Sequence, residues 1–594
     1  MQKSLRRSLI DMDVATREYA AEAGIAEEDV DLTDDYINEI IGQGRHENQS
    51  FFAFTATPKG QTIENFGTEV GVKPDGEPIK APFHVYSMRQ AIEEHYILDV
   101  LSNYTTIKEA FKLIRVSEDN PELIEGQTSR ALFKYYKKHG YTIAQKTEMI
   151  MANFLENCRY QIDRKGKAMV VADSRANAVR YYLAIKQYIA AHPTECAGCD
   201  AMIAFSGEVT LEDYPSEKPF TEATMNLDEN GKYITTDKKF RKAFHSNLYN
   251  ILVVANKYQT GFDEPLLHTM YVDKKLRDVT AVQTLSRLNR TCPGKSSTFV
   301  LDFENTEEDI RDAFSPYYET TILEGSTDLN KVYDLRNKIR DYMLYNMDDV
   351  ETFNKFMAAQ ANKNQDAAAL GRLTGMFRPV IERYQALSED ERYAARDYVR
   401  KFNGAYSYIT QLVRLHDKDL FNEYQYTLHL ARLLPPAGEN EIVNVEDKIK
   451  LEYASLTETF KGAIVLDEKP TILTPTSSMT PKVPNKKKDT LQSIIDKVNE
   501  RFNGNFTNSD RVIIEGIYQM FMKDADVKKF KKYAKDNSTE MFVQSLFPDK
   551  FKDIVTQCFL DNNDSFSKLF NDPDFYQKVQ DAMAAELYKA LRKD

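Results

Sequence analysis

Hydrophobic residues follow two different patterns along the 594 residues of this chain. Between positions 50 and 303 they form short β-branched or aromatic runs, separated by amphipathic stretches. Most of these runs are apolar at consecutive positions, which is typical of strands covered by helices on both faces. The predicted strands are Phe51–Thr55, Phe83–Tyr86, Ala168–Ala172, Met202–Phe205, Ile251–Ala255, Thr269–Val272 and Thr298–Leu301. This part of the sequence therefore predicts an α/β domain with a parallel sheet.

After about position 306 the apolar residues recur at helical spacing instead. They stand, for example, at Leu329, Val332, Leu335, Ile339 and Met343. Two signals mark helix ends in this region. The residues Ser388 to Glu391 form a capping box, which begins a helix, and Pro435-Pro436 ends another. The sequence predicts an all-α helical domain that extends to position 466.

The remaining parts of the chain differ in composition. The first 48 residues are rich in Asp and Glu and have helical periodicity, which predicts a helical insertion. A stretch with four prolines and the basic run Lys486–Lys488 predicts an exposed linker. The predicted units are residues 1–48, an α/β lobe over 49–305, a helical domain over 306–466, a linker over 467–489 and a C-terminal helical domain over 490–594.

Composition and charge exclude several classes of protein. The chain has only five cysteines, which are too scattered for a disulfide framework. Cys196 and Cys199 form a CxxC pair, but no second pair follows at zinc-ribbon spacing, so we predict no metal site. No uninterrupted apolar run is long enough to span a membrane, and we expect a cytoplasmic protein. The net charge of −13 argues against a generally basic surface, although binding of nucleic acid needs only a local basic groove.

Two arginines in the segment from Val282 to Thr291 are candidates for phosphate chemistry. On a helix, Gln283, Arg287 and Arg290 fall at i, i+4 and i+7 and project from one face. A pair of guanidinium groups suits the spread negative charge of a phosphoryl group in transfer. The alternative is a surface helix with ordinary salt bridges.

A turn about twenty residues upstream adds to this prediction. Gly261 permits a tight turn after the strand Ile251–Ala255, where ligands sit in open α/β sheets. Thr260 supplies a hydroxyl, and Asp263 supplies a carboxylate that can hold an arginine or a ribose. The alternative is a turn without function.

Two hydroxyls near the front of the chain form a third candidate. Thr55 and Thr57 stand at the end of the predicted strand Phe51–Thr55, where they can bond carboxylates or water. Pro58 stiffens the exit from that strand. The alternative is a strand that simply runs into a turn.

Together these segments resemble the later motifs of superfamily 2 helicases, in the same order. The four matching segments are Thr55-Ala56-Thr57-Pro58, Asp173-Ser174-Arg175, Thr260-Gly261-Phe262-Asp263 and Gln283 to Arg290. In many helicases of this superfamily, glycine stands where this chain has Ser286. Four further segments are similar in sequence to the motor (R) subunit of type I restriction-modification enzymes: Ala204–Gly207, Ala255–Glu264, His268–Lys275 and Phe299–Phe303.

The resemblance implies a RecA-like lobe followed by all-α helical domains, in a motor where two such lobes clamp ATP and translocate duplex DNA. It implies catalytic roles for Arg290 as the finger on the γ-phosphate, Arg287 in support and Gln283 near the nucleotide. The nucleotide-binding residues that it implies are Gly261, Asp263, Arg287 and Arg290. The DNA-binding residues that it implies are Ser174, Arg175, Ser206 and Thr260, and Thr55 and Thr57 are the implied coupling residues.

The resemblance also implies cofactors and partners. They are ATP and Mg²⁺ in the complete subunit, double-stranded DNA, and the methyltransferase and specificity subunits of the restriction complex. The sequence contains no GxxxxGK[ST] phosphate loop, and no acidic box precedes Thr55. We therefore expect the chain to be a C-terminal part of such a subunit, which alone binds no nucleotide, hydrolyses no ATP and cuts no DNA.

Two other functions remain open from the sequence. A different superfamily 2 helicase or remodelling protein would share the arginine segment but would lack the long helical tail. A non-catalytic assembly module would use its helical domains to bind partner proteins.

Overall fold

The computed structural model describes most of the chain between residues 51 and 501. The described ranges are 51–216, 218–259, 261–360, 367–437, 445–466, 470–475, 481 and 487–501, with isolated positions and short helical segments before and after them. The predicted insertion over residues 1–48 lies almost entirely outside the described residues, as does Thr260.

Fifteen strands occur in these ranges. In chain order they are β1 (Thr68–Val72), β2 (Pro78–Ala81), β3 (Tyr104–Arg115), β4 (Glu122–Ile124), β5 (Lys167–Ala172), β6 (Ala201–Ala204), β7 (Glu208–Val209), β8 (Phe220–Thr221), β9 (Ile251–Val254), β10 (Leu267–Asp273), β11 (Phe299–Asp302), β12 (Thr321–Glu324), β13 (Ile449–Gly462), β14 (Thr471–Leu473) and β15 (Lys488–Thr490).

The α-helices of the α/β part precede those of the helical domain. They are α1 (Gly60–Phe66), α2 (Met88–Glu93), α3 (Glu125–Lys138), α4 (Gly140–Glu156), α5 (Arg175–Ala191), α6 (Glu222–Met225), α7 (Asp237–His245), α8 (Asp278–Leu285) and α9 (Glu307–Tyr318). The later helices are α10 (Lys331–Arg340), α11 (Met347–Gln360), α12 (Ala367–Ala386), α13 (Glu389–Leu412), α14 (Lys418–Leu433), α15 (Leu491–Arg501), α16 (Val527–Asp536) and α17 (Phe547–Asp561). A short helical turn at Gln161–Arg164 precedes β5.

A seven-stranded sheet forms the centre of the α/β lobe, with the strand order β13-β3-β11-β10-β5-β9-β6. The six strands from β3 to β6 in this order are parallel. The last strand, β13, pairs antiparallel with β3 along a long ribbon. Because parallel strands need crossover connections, helices lie on both faces of this sheet.

Two hydrophobic clusters cover the two faces of the sheet. On one face, Met169, Leu252 and Met270 pack against helices that include Phe244 of α7 and Leu285 of α8. On the other face, Val170, Val253 and Tyr271 pack against α4 and α5. Consecutive residues of β5, β9 and β10 thus point into different clusters, and every residue of these three strands is buried. This explains why the runs are apolar at consecutive positions.

Five of the seven predicted strands are confirmed. They correspond to β5, β6, β9, β10 and β11, and their ends shift by no more than two residues. The prediction of a mainly parallel sheet is also confirmed.

Two predicted strands are wrong. Residues 51–55 have no strand conformation, and Phe52 and Phe54 are largely exposed. The stretch 83–86 is a loop between β2 and α2, in which Phe83 is exposed. The hydroxyl of Ser87 caps α2 by accepting from the Gln90 amide at 3.1 Å, so the residues before it lead into a helix.

Sequence reasoning missed the long ribbon formed by β3 and β13. The sequence predicts no strand between 306 and 466, but β12 and β13 both lie within this range, and β13 completes the sheet of the α/β lobe. The residues Ile449, Leu451 and Tyr453 of β13 are buried, whereas Lys450 and Glu452 are exposed. This alternation is the period of a half-buried strand, and it is visible in the sequence.

Helices α10 to α14 occupy the predicted helical domain between Lys331 and Leu433. Its core contains Val332, Leu335 and Ile339 of α10, as the helical spacing predicts. The other two residues of that pattern, Leu329 and Met343, lie outside α10 and are exposed. The capping box of Ser388 and Glu391 begins α13, and α14 ends at Leu433, before Pro435.

The predicted linker and C-terminal boundary need correction. Strand β14 pairs with β12, and β15 pairs with β4, so both ends of the stretch 467–489 belong to sheets. Helix α15 packs on β3 and α3 through Leu491, Ile494 and Ile495. The residues that follow it form a separate cluster that includes Phe521, Phe551 and Leu587.

None of the described helices is long and apolar enough to cross a membrane.

Candidate functional site

The candidate site lies on the connection between β9 and β10. Because these strands are parallel, the chain between them returns from the carboxyl end of β9 to the amino end of β10. Gly261 is exposed on this path and has a φ of +71°, a conformation that favours glycine. The next residue, Phe262, is buried, and Asp263 is exposed. The predicted turn is therefore present, and it carries Asp263 away from the carboxyl edge of the sheet.

The arginine segment is not one continuous helix, which corrects the predicted i, i+4, i+7 face. Helix α8 ends at Leu285. The amides of Arg287 and Leu288 bond carbonyls only three residues back, so the chain tightens into a turn. Arg290 then forms an isolated β-bridge with Ile97.

The two guanidinium groups nevertheless meet at the same place. Nη1 of Arg287 donates to the Phe262 carbonyl at 3.1 Å. Nε of Arg290 donates to Oδ1 of Asp263 at 2.9 Å. In the described part of the chain, no hydrogen bond reaches the Nη2 group of either arginine. The structure thus joins the turn and the arginine segment and leaves donors available for an anion.

Burial and mutual repulsion act on these charges. Burial lowers the pKa of Arg287, the neighbouring Arg290 lowers it further, and Asp263 opposes this shift. The Arg290 side chain is 39% exposed and that of Asp263 is 70% exposed. An anion that approached from solvent would therefore relieve the repulsion between two adjacent cations.

Gln283 plays a part that differs from the predicted one. Its main-chain carbonyl accepts a hydrogen bond from Nε of Arg287 at 3.1 Å. This bond orients the guanidinium of Arg287. The contribution of Gln283 that the structure shows therefore comes from its backbone.

Lys295 is a residue of this site that sequence reasoning missed. It is buried, and its Nζ donates to the carbonyls of Leu267, Leu288 and Arg290 at 2.7–2.8 Å and of Pro265 at 3.2 Å. Burial lowers the pKa of this ammonium to about 8. Lys295 therefore clamps the chain around Arg290 to the amino end of β10. No sequence pattern signals a lysine whose partners are main-chain carbonyls from distant positions.

Arg241 of α7 adds a further cation beside the turn. Its guanidinium lies over the rings of Tyr258 and Phe262, at 5.1 and 5.4 Å from the ring centroids. Its Nη1 reaches the Gly261 carbonyl at 3.4 Å. Sequence reasoning had no signal for this contact, because the residues come from different elements.

The candidate DNA-binding residues lie at the opposite end of the sheet, beyond the carboxyl ends of β5 and β6. The hydroxyl of Ser174 caps α5 by accepting from the Asn177 amide at 3.2 Å. Nη1 of Arg175 donates to the Ser206 carbonyl at 2.9 Å. Three of the four predicted residues are thus brought together, and the fourth, Thr260, lies outside the described residues.

Thr55 and Thr57 form a local turn. The Thr57 amide donates to Oγ1 of Thr55 at 3.1 Å. Thr55 is exposed and Thr57 is buried. This local bond does not connect them to another element, so their coupling role stays a prediction.

A buried ionic cluster lies near the carboxyl ends of β10 and β11. Nζ of Lys146 bonds Asp273 at 2.8 Å and also Glu109, and Lys137 bonds Glu304 at 2.5 Å. Burial opposes the charge on Asp273, but the two ammonium groups outweigh it and lower the pKa of this carboxyl well below its usual range. Carboxylate oxygens of Glu109, Asp273 and Glu304 lie within 4.8 Å of one another. The two lysines already supply the positive charge that a cation would bring.

Comparison with known proteins gives one matching family and several relatives. Residues 164–305 match the family described as type I restriction enzyme subunit R domain 3. A type I restriction enzyme endonuclease subunit from Staphylococcus aureus is 22% identical over 444 residues, which are 68% of this chain and 44% of that protein. A second one, from Staphylococcus saprophyticus, is 25% identical over 263 residues, 41% of this chain and 26% of that protein. The chain spans less than half the length of these relatives.

Solved structures also align with parts of the chain. A fragment of a type I restriction enzyme subunit from Vibrio vulnificus has 15% identity and a TM-score of 0.23, covering 37% of this chain and 35% of that one. An ATP-dependent Type ISP restriction-modification enzyme bound to DNA has 10% identity and a TM-score of 0.23, covering 66% of this chain and 29% of that one.

Proposed function

Since the chain is a relative of the R subunits of type I restriction enzymes, we propose that it supplies the second RecA-like lobe of an ATP-dependent DNA motor. In this function, Arg287 and Arg290 stabilise negative charge on a triphosphate that another lobe presents. The helical domain and the residues after α15 attach the motor to the rest of the restriction complex.

The observation that carries this proposal is the junction of the turn and the arginine segment. Phe262 and Asp263 fix the two guanidinium groups side by side, and each keeps an Nη2 group free of partners in the described chain. Preorganised cations that need no rearrangement stabilise charge at low cost during a phosphoryl transfer. A surface salt bridge alone does not require a second, half-buried arginine beside the first.

ATP with Mg²⁺ would supply the phosphoryl group whose transfer to water drives the motor. The groups of this chain that fit it are the guanidiniums of Arg287 and Arg290, and Asp263 holds Arg290 in place. The sequence contains no phosphate loop, so we propose that the main phosphate contacts and the magnesium ligands come from the other lobe.

Duplex DNA is the second proposed ligand. Ser174, Arg175 and Ser206 lie together beyond the carboxyl ends of β5 and β6, where a backbone phosphate would meet a hydroxyl and a guanidinium. We propose that Thr260 joins them and that Thr55 and Thr57 transmit closure between the lobes. The proposed partners are the methyltransferase and specificity subunits, and DNA cleavage is an activity of the complete assembly.

The test is a substitution of Arg290 in an assembly that also contains a phosphate-loop lobe. We expect Arg290→Ala to lower DNA-stimulated ATP hydrolysis by a factor of about 10³ or more, as for other arginine fingers. Arg290→Lys should not restore the rate, because lysine lacks the planar fork of donors. Arg378→Ala is the matched control, because this arginine is 80% exposed on α12.

Full ATP hydrolysis by the Arg290→Ala assembly would remove this residue from its proposed role. DNA-stimulated ATP hydrolysis by this chain alone would contradict the proposal that the other lobe supplies the main phosphate contacts and the magnesium ligands.

A further inference from the structure

A groove runs along the carboxyl edge of the parallel sheet, above β3 and β11. Its volume is about 1570 Å³. The β3–β13 ribbon forms one wall, and α3, α9 and α15 contribute to the others. The groove lies on the same edge of the sheet as Ser206, which follows β6. However, β3 and β6 are five strands apart in the sheet. At about 4.8 Å between strands, this separation is about 24 Å.

The groove is basic within an acidic protein. Its lining includes eight lysines and arginines and five glutamates, whereas the chain has a net charge of −13. Four of those glutamates, which are Glu109, Glu125, Glu304 and Glu307, already form ion pairs with lysines or arginines. Four of the eight cations, which are Lys275, Arg311, Lys487 and Lys497, also take part in ion pairs, so the excess positive charge of the groove comes from the others.

Three of the basic residues carry this excess. Lys108 on β3, Arg130 on α3 and Arg277 before α8 are all exposed. In the parts of the chain that the structure describes, none of the three forms an ion pair. Cations that come from three separate elements and face one groove are suited to a ligand with several negative charges in a row.

Aromatic rings lie among these cations. Phe133 of α3 and Phe460 of β13 line the same groove and are half-buried. Partly exposed phenyl rings beside a cationic track are the two components with which proteins hold single strands, since the rings stack on bases and the cations follow the phosphates. A duplex keeps its bases stacked inside and would leave the rings unused.

We propose that this groove binds a single strand of nucleic acid, with Lys108, Arg130 and Arg277 on the phosphates and Phe133 and Phe460 against the bases. The site is separate from Ser174, Arg175 and Ser206, and no nucleotide hydrolysis is needed to occupy it. It therefore goes beyond the proposed motor function, and its binding test is independent of ATP hydrolysis.

The test is the binding of fluorescent oligonucleotides to the chain, followed by fluorescence anisotropy over a range of salt concentrations. The probes are oligo(dT) and oligo(U) of about 15 nucleotides and a DNA duplex of the same length. The test variant is Lys108→Ala/Arg130→Ala/Arg277→Ala. The control, Lys338→Ala/Lys355→Ala/Arg378→Ala, removes three exposed charges from the helical domain.

We expect the groove variant to bind at least one of the two single-stranded probes about tenfold more weakly than the control at low salt. The slope of log affinity against log salt should fall by about 2, since three phosphate contacts on a single strand contribute about 0.7 each. Equal affinity and slope for the two variants would overturn the proposal. Equal loss with the duplex would overturn the assignment to a single strand.

A second measurement guards against a change in folding. Photo-crosslinking of an oligonucleotide that contains 5-iodouracil to the unmodified chain should label peptides that contain Phe133 or Phe460. Labelling confined to peptides outside the groove would overturn the proposal as well.

Discussion

The carboxylate of Asp263 accepts a hydrogen bond at 2.9 Å from Nε of Arg290, which lies 27 residues further along the chain. This contact connects the turn after β9 with the segment after α8. Both side chains remain substantially exposed, so the pair orients a charge more than it stabilises the fold.

We therefore expect Arg290→Ala and Asp263→Ala each to change the free energy of unfolding by no more than about 1 kcal/mol. Urea denaturation of the chain measures this quantity. Loss of ATP hydrolysis in the assembly, with unchanged stability of the chain, would place Arg290 in the reaction. A loss of more than about 3 kcal/mol would instead assign the pair to the fold.

In contrast to the exposed Arg290–Asp263 pair, Lys146 should contribute strongly to the free energy of unfolding. Its ammonium is fully buried and bonds both Asp273 and Glu109. We expect Lys146→Met to cost about 3–5 kcal/mol, because it leaves two carboxylates buried near each other with less compensation. Lys186→Met is the control, since Lys186 and Asp200 form a partly exposed pair whose loss should cost at most about 1 kcal/mol. Equal losses in the two variants, measured by urea denaturation, would contradict this account.

The parallel strands of the sheet could be predicted from the sequence because burial on both faces requires apolar residues at consecutive positions. The strands β5 and β9 are apolar at nearly every position, and few other elements have that pattern. The sequence pattern of β3 and β13 is a weaker signal. The two strands are more than 300 positions apart, and their pairing depends on tertiary contacts that no local window contains.

The sequence predicts the residues of the candidate site but not its local structure. Its spacing places Arg287 and Arg290 on one helical face, whereas a turn and a β-bridge bring them together. The spacing of charged residues predicts a shared location only if the backbone continues as a helix. Lys295 and Arg241 could not be found, because their contacts with the site are to carbonyls and rings that lie elsewhere in the sequence.

Gly261 provides a test of the turn. Its φ is +71°, and apart from its two chain neighbours no part of the described chain lies within 4 Å of the point that a Cβ would occupy, so alanine would meet backbone strain but no clash with another segment. We expect Gly261→Ala to cost about 1–2 kcal/mol of stability. Gly404, which lies within α13 and also has open space around it, is the matched control. Gly404→Ala should stabilise the chain by about 1 kcal/mol, since alanine is the better helix former. A gain in stability for Gly261→Ala would exclude the left-handed turn.

The buried carboxyl of Asp302, at the end of β11, should make the free energy of unfolding depend on pH. Burial raises the pKa of its carboxyl to about 6, although Tyr104 and the amides of Glu304 and Asn305 donate hydrogen bonds to it. Because the folded state holds this proton more tightly than the unfolded state, the contribution of Asp302 is present below about pH 4 and is lost as the pH rises through about 6. The shift of about two units corresponds to about 3 kcal/mol.

Asp302→Asn cannot lose a proton, so we expect its stability relative to the unmodified chain to rise by about 3 kcal/mol between about pH 4 and pH 7. Urea denaturation at both pH values gives this difference, and the titration of all other carboxyl groups cancels in the comparison. Asp341→Asn is the control, because the Asp341 side chain is 67% exposed and its replacement should give nearly the same small difference at both pH values. A difference for Asp302→Asn that stays constant with pH would mean that its carboxyl ionises as freely in the folded chain as in the unfolded one.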